Sequence, residues 1–539
     1  MEDFVFGTVA SDDLKLAHHR AARQGVQHAH QLDPLDPAPG QPVTLTVRIG
    51  PDVTAEHVAC YYTLDGSAPA GARGVAQNGH VLALERAEVL WDTITWSYHQ
   101  VWRGALPAQP EGAVVRYRIG AWAGDGPETF ADWPNVKDLT DQATAAFFGN
   151  VYEVQPGDPA RGDTFTFRVD RLTPPDWARA AVIYHIFVDR FYPGDGRRWA
   201  DTTDTRRWHG GTLWGVADRL DYIADLGATC VWLSPIFPSP SDHGYDATDY
   251  DHVAARVGGD EALHALVEAA HARGLRVVLD LVCNHISDQH PYFQAALADP
   301  DSPYRGWFTF DSSPAGYRAF FGLHKMPQVN LAHPDARRWM IDIGRYWLRA
   351  FDVDGYRLDH ANGPGPDFWS DFQAACKAEK PDCFCFGEIV ETPDIVRRYV
   401  GRLDGCLDFT LADALRRTYG HGRWTEAEFE RAVARHLAFF PRDFVMPTFL
   451  DNHDMDRFLF IAGGDREKLR RAAAVQMRLP GPPVIYYGTE VGMSQAQGRR
   501  EARRLEPSRA PMLWGADQDG DLLAYYKALI RARRAGQPT

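Results

Sequence analysis

The chain has 539 residues, too many for one ordinary domain, and is 45% hydrophobic and 24% charged, as soluble globular proteins are. Its formal net charge of −15 disfavours nucleic acid and anionic membranes as partners, and no stretch approaches the length of a membrane span. The seven cysteines, most of them inside apolar runs, indicate buried thiols rather than disulfides. Residues 1–20 lack the basic and apolar segments of a secretory signal, so we expect a cytoplasmic protein.

Residues 1–175 are predicted to form an N-terminal β-sandwich domain of immunoglobulin-like type. Runs of β-branched and aromatic residues separated by turn signals predict its strands at 42–49, 57–64, 113–122 and 164–169. Paired prolines at 174–175 mark the boundary with a second domain at 176–539.

The second domain alternates apolar strands with amphipathic helices. Eight runs predict strands at 181–188, 230–236, 276–282, 355–359, 385–389, 406–409, 445–452 and 482–488. Helical periodicity covers 212–227, 261–274, 334–351 and 522–534. Continuous apolar strands followed by helices are typical of parallel sheets, so eight such units predict an α/β fold, a closed (β/α)₈ TIM barrel. The long connection after strand three predicts a small inserted subdomain at about 286–332, on one side of the cleft.

Three acidic residues follow apolar strands of this barrel: Asp359, Glu388 and Asp454. Each alone could be a structural ion pair, a solvated acid or a turn cap. Because the carboxyl ends of barrel strands face one mouth, we expect the three to meet in one cleft. Two carboxyl groups flanking a scissile bond are what glycoside hydrolysis requires.

Six motifs in order resemble those of the α-amylase family of glycoside hydrolases, glycoside hydrolase family 13, over residues 180–535. They are HGYDATDY (243–250), DLVCNH (280–285), MPQVN (326–330), GYRLDHAN (355–362), FGEI (386–389) and FLDNHD (449–454). HANG (360–363) and MPQVN are closest to the cyclomaltodextrinase, neopullulanase and maltogenic amylase branch. FGEIVETP (386–393) lacks the tryptophan often found there, so a preference for cyclodextrin or pullulan stays open.

The resemblance implies a role for each matched position. Asp359 corresponds to the nucleophile, Glu388 to the general acid/base, and Asp454 to a third carboxylate that binds sugar hydroxyls. The implied substrate-binding residues are Arg357, His285, His453, Tyr245 and Asp280. Arg357 and Asp359 share a strand face, so the arginine should lower the pKa of that aspartate. Like charge and burial should raise the pKa of Glu388.

The chemistry requires no cofactor, but the resemblance leaves a structural calcium ion open. Asn284 matches a position that binds calcium in many family members, and the oxygen-rich segment 189–204 could hold a second ion. Calcium takes six to eight oxygen ligands, and the sequence does not assemble such a set. An ordinary acidic loop is an equally good interpretation.

The resemblance implies a retaining hydrolase of α-1,4-glucosidic bonds in maltodextrins, cyclodextrins or related α-glucans, through a covalent glycosyl–enzyme intermediate. A transglycosylase of glucanotransferase or trehalose-forming type is the alternative, and a non-catalytic binding protein is a further one. The N-terminal domain could bind starch, form a homodimer or cover a neighbour's site. Sugar stacking and core packing are both open for its tryptophans Trp91, Trp96, Trp102 and Trp122. Only five residues follow the predicted last helix, so we expect the family's C-terminal β-domain to be absent.

Overall fold

A computed structural model describes residues 12–132, 136–147, 149–154, 160, 162–499, 501–502 and 506–536. Residues 1–11, part of the segment behind the prediction of a cytoplasmic location, lie outside this range, as do the last three residues. No helix in the described part of the chain combines the length and the apolar character that crossing a membrane requires. All seven cysteines are buried free thiols, as predicted.

The N-terminal region is built mainly from antiparallel strands. Its elements are α1 (Asp12–Ala21), β1 (Val26–Gln27), β2 (Leu32–Asp33), β3 (Val43–Ile49), β4 (His57–Thr63), β5 (Ala70–Ala72), β6 (Val75–Asn78), β7 (His80–Asp92), β8 (Ser97–Leu106), β9 (Val114–Trp122), β10 (Thr129–Phe130), α2 (Val136–Phe147) and β11 (Phe165–Arg168). The long β7 pairs with β4 through its first residues and with β8 through the rest, so it joins two halves of one sheet system. Side chains of β3, β4 and β9 share one apolar core. The four predicted strands are confirmed, whereas the immunoglobulin-like type stays a prediction.

The sequence analysis did not predict the long hairpin of β7 and β8. Almost all of β7 is exposed, so its residues lack the alternation of apolar and polar side chains that marks a half-buried strand. Helix α2 was not predicted either, although it turns out to contact the subdomain beside the active site.

Eight parallel strands form the second sheet: β12 (Ile183–Ile186), β13 (Cys230–Leu233), β14 (Arg276–Val282), β15 (Gly355–Asp359), β16 (Phe384–Gly387), β17 (Gly405–Cys406), β18 (Thr448–Phe449) and β19 (Pro483–Tyr486). They are ordered β17-β16-β15-β14-β13-β12-β19-β18. The sheet closes where Gly405 bridges Val445, the residue three positions before β18. All eight predicted barrel strands are therefore present. Strands six and seven pair over two residues each, fewer than predicted.

Helices surround this barrel: α3 (Asp176–Ala180), α4 (Val188–Phe191), α5 (Leu213–Ala217), α6 (Leu220–Leu226), α7 (Gly259–His271), α8 (Pro291–Ala298), α9 (Pro334–Phe351), α10 (Pro366–Glu379), α11 (Pro393–Val396), α12 (Phe409–Leu415), α13 (Glu426–Phe439), α14 (Phe458–Ile461), α15 (Arg466–Gln476) and α16 (Gly520–Gly536). The predicted helix at 212–227 is two helices, because Arg219 between them leaves helical geometry (φ −111°, ψ 9°). Its guanidinium group stacks instead over the rings of Tyr192 and Trp514.

The connection between β14 and α9 is a folded insertion, and its assignment as a small subdomain at about 286–332 stays a prediction. It contains α8 and a set of short antiparallel bridges that join Phe308 to Val329, Phe310 to Tyr317 and Ala319 to Pro327. A further bridge joins His285 to Gln328 and ties the insertion to the end of β14. The insertion therefore lies against the mouth of the barrel.

Candidate active site

The three predicted carboxylates lie at the carboxyl ends of barrel strands. Asp359 is the last residue of β15, Glu388 directly follows β16, and Asp454 lies in the loop after β18. They retain only 7%, 7% and 5% of their surface, respectively. At a barrel mouth, this small exposed fraction leaves each carboxylate accessible to a substrate, while burial removes most of its hydrating water.

A single guanidinium group joins the first two carboxylates. Nη1 of Arg357 lies 2.8 Å from Oδ1 of Asp359, and its Nη2 lies 2.6 Å from Oε1 of Glu388. The same Nη1 donates to Oδ1 of Asp280 at 2.7 Å. Arg357 is completely buried and precedes Asp359 by two strand residues, so both side chains point to the same barrel face. The two carboxyl groups therefore lie on the two terminal nitrogens of one guanidinium group.

A chain of hydrogen bonds links this cluster to the third carboxylate. The hydroxyl of Tyr245 donates to Oδ2 of Asp280 at 3.0 Å and contacts Nε2 of His453 at 2.7 Å. The same Nε2 lies 3.0 Å from Oδ2 of Asp454. The Tyr245 and His453 rings stack nearly parallel, at 5.3 Å between centroids. Seven of the eight predicted site residues thus form one connected network.

His285, the eighth predicted residue, lies at the edge of this network. It follows β14, and its ring stacks on Phe320 of the insertion at 4.3 Å between centroids. Phe320 also meets the ring of His360, the residue after Asp359, edge-on at 4.9 Å. The backbone N–H of His360 donates to Oε2 of Glu388 at 3.2 Å. His285 is therefore connected to the carboxylates through Phe320 and His360.

Aromatic rings in the barrel interior support the network from below. Trp232 of β13 donates its ring N–H to Oδ2 of Asp280 at 3.1 Å, and the guanidinium of Arg357 lies over its ring. His185 of β12 stacks on Trp232 at 3.6 Å with an interplanar angle of 7°. Burial lowers the pKa of His185 well below its usual value, so this ring is a neutral packing element.

Burial raises the pKa of Asp359 and of Glu388, each to about 7. The rise for Glu388 was predicted. For Asp359 the prediction is wrong in its net result: Arg357 does lower the pKa, but burial and the charges of Asp280 and Asp454 raise it more. Two such groups beside one cation titrate as a pair, so near neutral pH they hold about one proton between them.

Asp454 shifts in the opposite direction. Burial acts to raise its pKa. Contacts with His453, Arg509 and Arg499 outweigh burial and lower the pKa well below the usual range. Burial lowers the pKa of His453 itself to about 4, so that ring is neutral at neutral pH. Arg509, whose Nη2 donates to Oδ1 of Asp454 at 2.9 Å, is then the permanent cation that keeps this carboxylate ionised.

Sequence analysis missed Arg509, Phe320, Trp232 and His185. Arg509 and Phe320 lie in single 3-10 turns, Pro507–Arg509 and Phe320–Gly322, which are too short for a periodic pattern to indicate a partner. Trp232 and His185 belong to predicted strands, and the period of two along each strand places them inside the barrel. That signal was available, but the sequence analysis did not use it.

In the structure, Asn284 contacts protein groups through both ends of its side-chain amide. Its side-chain N–H donates to Nδ1 of His285, and its oxygen lies against Gly363. Asp189 in the second candidate segment pairs with Arg190 and accepts the backbone N–H groups of His209 and Gly210. In the described range, no group of three or more His, Cys, Asp or Glu side chains could hold a metal ion. Calcium binding stays an untested prediction.

Two of the four N-terminal tryptophans are exposed and two are buried. Trp102 and Trp122 belong to the buried set. Trp91 and Trp96 retain 45% and 75% of their surface, and Trp91 packs edge-on against both Trp96 and Tyr98.

Comparison with known proteins finds relatives for most of the chain. A profile described as "Alpha amylase, catalytic domain" matches residues 185–532. "Alpha-amylase 2" of Dictyoglomus thermophilum is 41% identical over 370 residues, 68% of this chain and 65% of that protein. The "Cyclomaltodextrinase" of Geobacillus thermopakistaniensis is 36% identical over 408 residues, 72% and 68% of the two chains. A solved "Cyclomaltodextrinase" structure is 26% identical with a TM-score of 0.64, covering 95% of this chain and 84% of that one.

Proposed function

Because the chain belongs to the α-amylase family of glycoside hydrolases, we propose that it hydrolyses α-1,4-glucosidic bonds in maltodextrins, cyclodextrins or related α-glucans with retention of configuration. The observation that carries this proposal is the contact of Arg357 with both Asp359 and Glu388 at the barrel mouth. The predicted membership of the family is confirmed, and relatives named cyclomaltodextrinase confirm the likeness to that branch.

The reaction proceeds in two displacements on this pair of acids. Asp359, ionised, attacks the anomeric carbon while Glu388 donates its proton to the glycosidic oxygen, so the bond to the leaving sugar breaks as the ester forms. Glu388 then takes a proton from water, and the resulting hydroxide displaces Asp359 from the anomeric carbon. The raised pKa of the pair supports these roles, because one of the two groups remains protonated near neutral pH.

The remaining residues bind the sugar and order the acids. Asp454, kept ionised by Arg509, accepts hydrogen bonds from sugar hydroxyls, and the neutral rings of His453 and His285 offer further polar contacts. Tyr245 presents an aromatic face to the sugar ring. Asp280 holds the Tyr245 hydroxyl and Arg357 in position.

The relatives support hydrolysis over glycosyl transfer, because they are named as an amylase and as cyclomaltodextrinases. Retention of the complete carboxylate set argues against a protein that only binds glucans. A homodimer formed through the N-terminal region and a cytoplasmic location stay proposals.

Product analysis with maltohexaose, β-cyclodextrin and pullulan tests the function. We expect the wild-type chain to release short maltodextrins from at least the first two, and NMR to detect the α-anomer first. Asp359→Asn, which preserves the shape of the side chain, should release none. A β-anomer as first product would exclude retention, and absence of cleavage of all three glucans would exclude the proposed activity. Formation of longer oligosaccharides at a high maltose concentration would favour the alternative function, a transglycosylase.

A further inference from the structure

We propose that residues 136–147 and 149–154, which precede the barrel, are a positioning element of the active site. They hold Phe320 and Phe321 of the insertion against the histidines that flank the catalytic carboxylates. The inference rests on the proposed function, because its effect is measured on α-glucan hydrolysis. It assigns the N-terminal region a part in catalysis within its own chain.

An apolar contact joins the two regions. Ala145 of α2 and Tyr152 form one buried cluster with Phe320 and Phe321. The backbones approach closely as well: a Cβ atom on Gly322 would lie 2.4 Å from the carbonyl oxygen of Val151. No side chain larger than hydrogen fits between these segments, so the insertion is packed directly on the N-terminal region.

An ion pair and a hydrogen bond also join the two regions. Asp138 of α2 accepts a hydrogen bond from Nη2 of Arg318 at 2.9 Å and another from the Tyr152 hydroxyl at 3.1 Å. The Arg318 guanidinium lies over the Tyr152 ring, 5.8 Å from its centroid. Next to this ion pair, the Ser312 hydroxyl donates a hydrogen bond to Oε2 of Glu153 at 3.2 Å. Tyr152 therefore contacts both the apolar cluster and the ion pair, which makes it the central residue of the interface.

The backbone of the supported segment adopts a disfavoured conformation. Phe321 has φ +47° and ψ +33°, in the left-handed region that bulky residues avoid. Such a conformation persists only when the surroundings determine it. Phe321 is 1% exposed, and Ala145 and Tyr152 are among the residues packed around it. Removing that support should let the segment relax toward ordinary backbone geometry.

Phe320 and Phe321 also contact two histidines of the active site. Phe320 stacks on His285 and meets His360 edge-on, and Phe321 meets His360 edge-on at 5.3 Å. His360 is itself left-handed (φ +39°), and its N–H donates to Oε2 of Glu388. If the two phenylalanines shift, His285 loses its stacking partner and His360 is free to withdraw its N–H from Glu388. Both sugar binding and the proton affinity of the general acid then change.

Tyr152→Ala tests this chain of contacts, with Tyr152→Phe as the matched control that keeps the ring. For Tyr152→Ala we expect kcat/KM on maltotriose to fall ~10-fold, since small misplacements of reacting groups are costly. Loss of a hydrogen bond to the carboxylate raises the pKa of Glu388, so the basic limb of the pH profile should move to higher pH. Tyr152→Phe should keep the wild-type profile. Tyr525→Ala, an equal truncation on α16, where the hydroxyl donates to the carbonyl oxygen of Arg470, should also leave kcat/KM and the pH profile unchanged.

A double-mutant cycle separates positioning from general destabilisation. If Tyr152 acts through Phe320, adding Tyr152→Ala to Phe320→Leu should lower kcat/KM little further. Fully additive effects, or a folded Tyr152→Ala with wild-type kinetics and only a lower Tm, would overturn the inference. If Tyr152→Ala does not fold, Phe320→Leu decides alone, and wild-type kinetics in that variant would equally overturn it. A wild-type protein that cleaves no α-glucan would instead refute the proposed function.

Discussion

Arg357 and Glu388 lie against each other at the mouth of the barrel, with Nη2 2.6 Å from Oε1. The other terminal nitrogen of the same guanidinium reaches Asp359 and Asp280. One cation therefore faces three carboxylates, and the balance between its charge and their burial decides where the protons reside.

Arg357→Lys should lower kcat by ~100-fold or more. A single ammonium group cannot contact three carboxylates in the geometry of a planar fork, so Asp359 and Glu388 lose their shared partner. Asp359 becomes harder to ionise, and the acidic limb of the kcat/KM–pH profile should move to higher pH. The matched control is Arg533→Lys, since the Arg533 guanidinium donates to the backbone carbonyls of Met477, Leu479 and Gly481 and not to a carboxylate of the site. An unchanged acidic limb in Arg357→Lys would contradict the assigned role.

Glu388→Gln should separate the two catalytic roles. Turnover of maltotriose needs a proton on the leaving oxygen, and removing a general acid costs ~10²–10⁴-fold. α-Maltosyl fluoride releases fluoride, a leaving group that needs little protonation, so kcat/KM with this substrate, which reports the first step, should fall far less. The basic limb of the kcat/KM–pH profile with maltotriose should disappear, because the group that loses its proton there is gone. Equal losses of kcat/KM on both substrates would show that Glu388 does not act as the acid.

The same substitution should change how stability depends on pH. Burial raises the pKa of Glu388 from 4.5 to about 7, so the folded state binds more protons than the unfolded state between these values. Its contribution to the unfolding free energy is therefore present below pH ~4.5 and is lost as pH rises through about 7. Glu388→Gln lacks this titration. The Tm difference, variant minus wild type, should be more positive at pH 8.5 than at pH 5, and differential scanning calorimetry measures it.

Arg509→Met should weaken sugar binding through Asp454. Without the guanidinium contact at 2.9 Å, the pKa of Asp454 rises and the carboxylate loses its fixed orientation. We expect KM for maltotriose to rise ~10-fold, the size of one lost charge-assisted hydrogen bond. Arg509→Lys keeps the charge, so its KM for maltotriose should lie between that of Arg509→Met and that of the wild type. A changed kcat with constant KM would place Arg509 in the chemical step instead.

The positions of the carboxylates could be predicted because local and global signals agree. Asp359 and Glu388 follow continuous apolar runs, and strand β15 has the predicted bounds, Gly355–Asp359. Parallel topology then places both residues at one mouth. Strands β17 and β18 were predicted too long, because an apolar run indicates burial and not how many residues pair in the ladder.

Contacts between loops left no signal in the sequence. Arg509 reaches Asp454, and Phe320 reaches His285, from segments whose course depends on the assembled barrel. The balance between burial and charge at Asp359 was invisible in the same way. The sequence indicated that Arg357 would be beside Asp359, but only the structure shows that the loss of water outweighs the attraction of that cation.

The exposed aromatic hairpin of the N-terminal region offers a last prediction. Trp91, Trp96 and Tyr98 pack against one another yet remain 45%, 75% and 66% exposed. Flat apolar rings with open faces suit the hydrophobic faces of glucose units. Trp91→Ala combined with Trp96→Ala should therefore speed migration through glycogen-containing native gels without changing kcat/KM on maltotriose. Leu437→Ala, at an exposed leucine on α13, is the control. Unchanged migration in glycogen, together with a dimer-to-monomer shift in light scattering, would identify the hairpin as a homodimer contact instead.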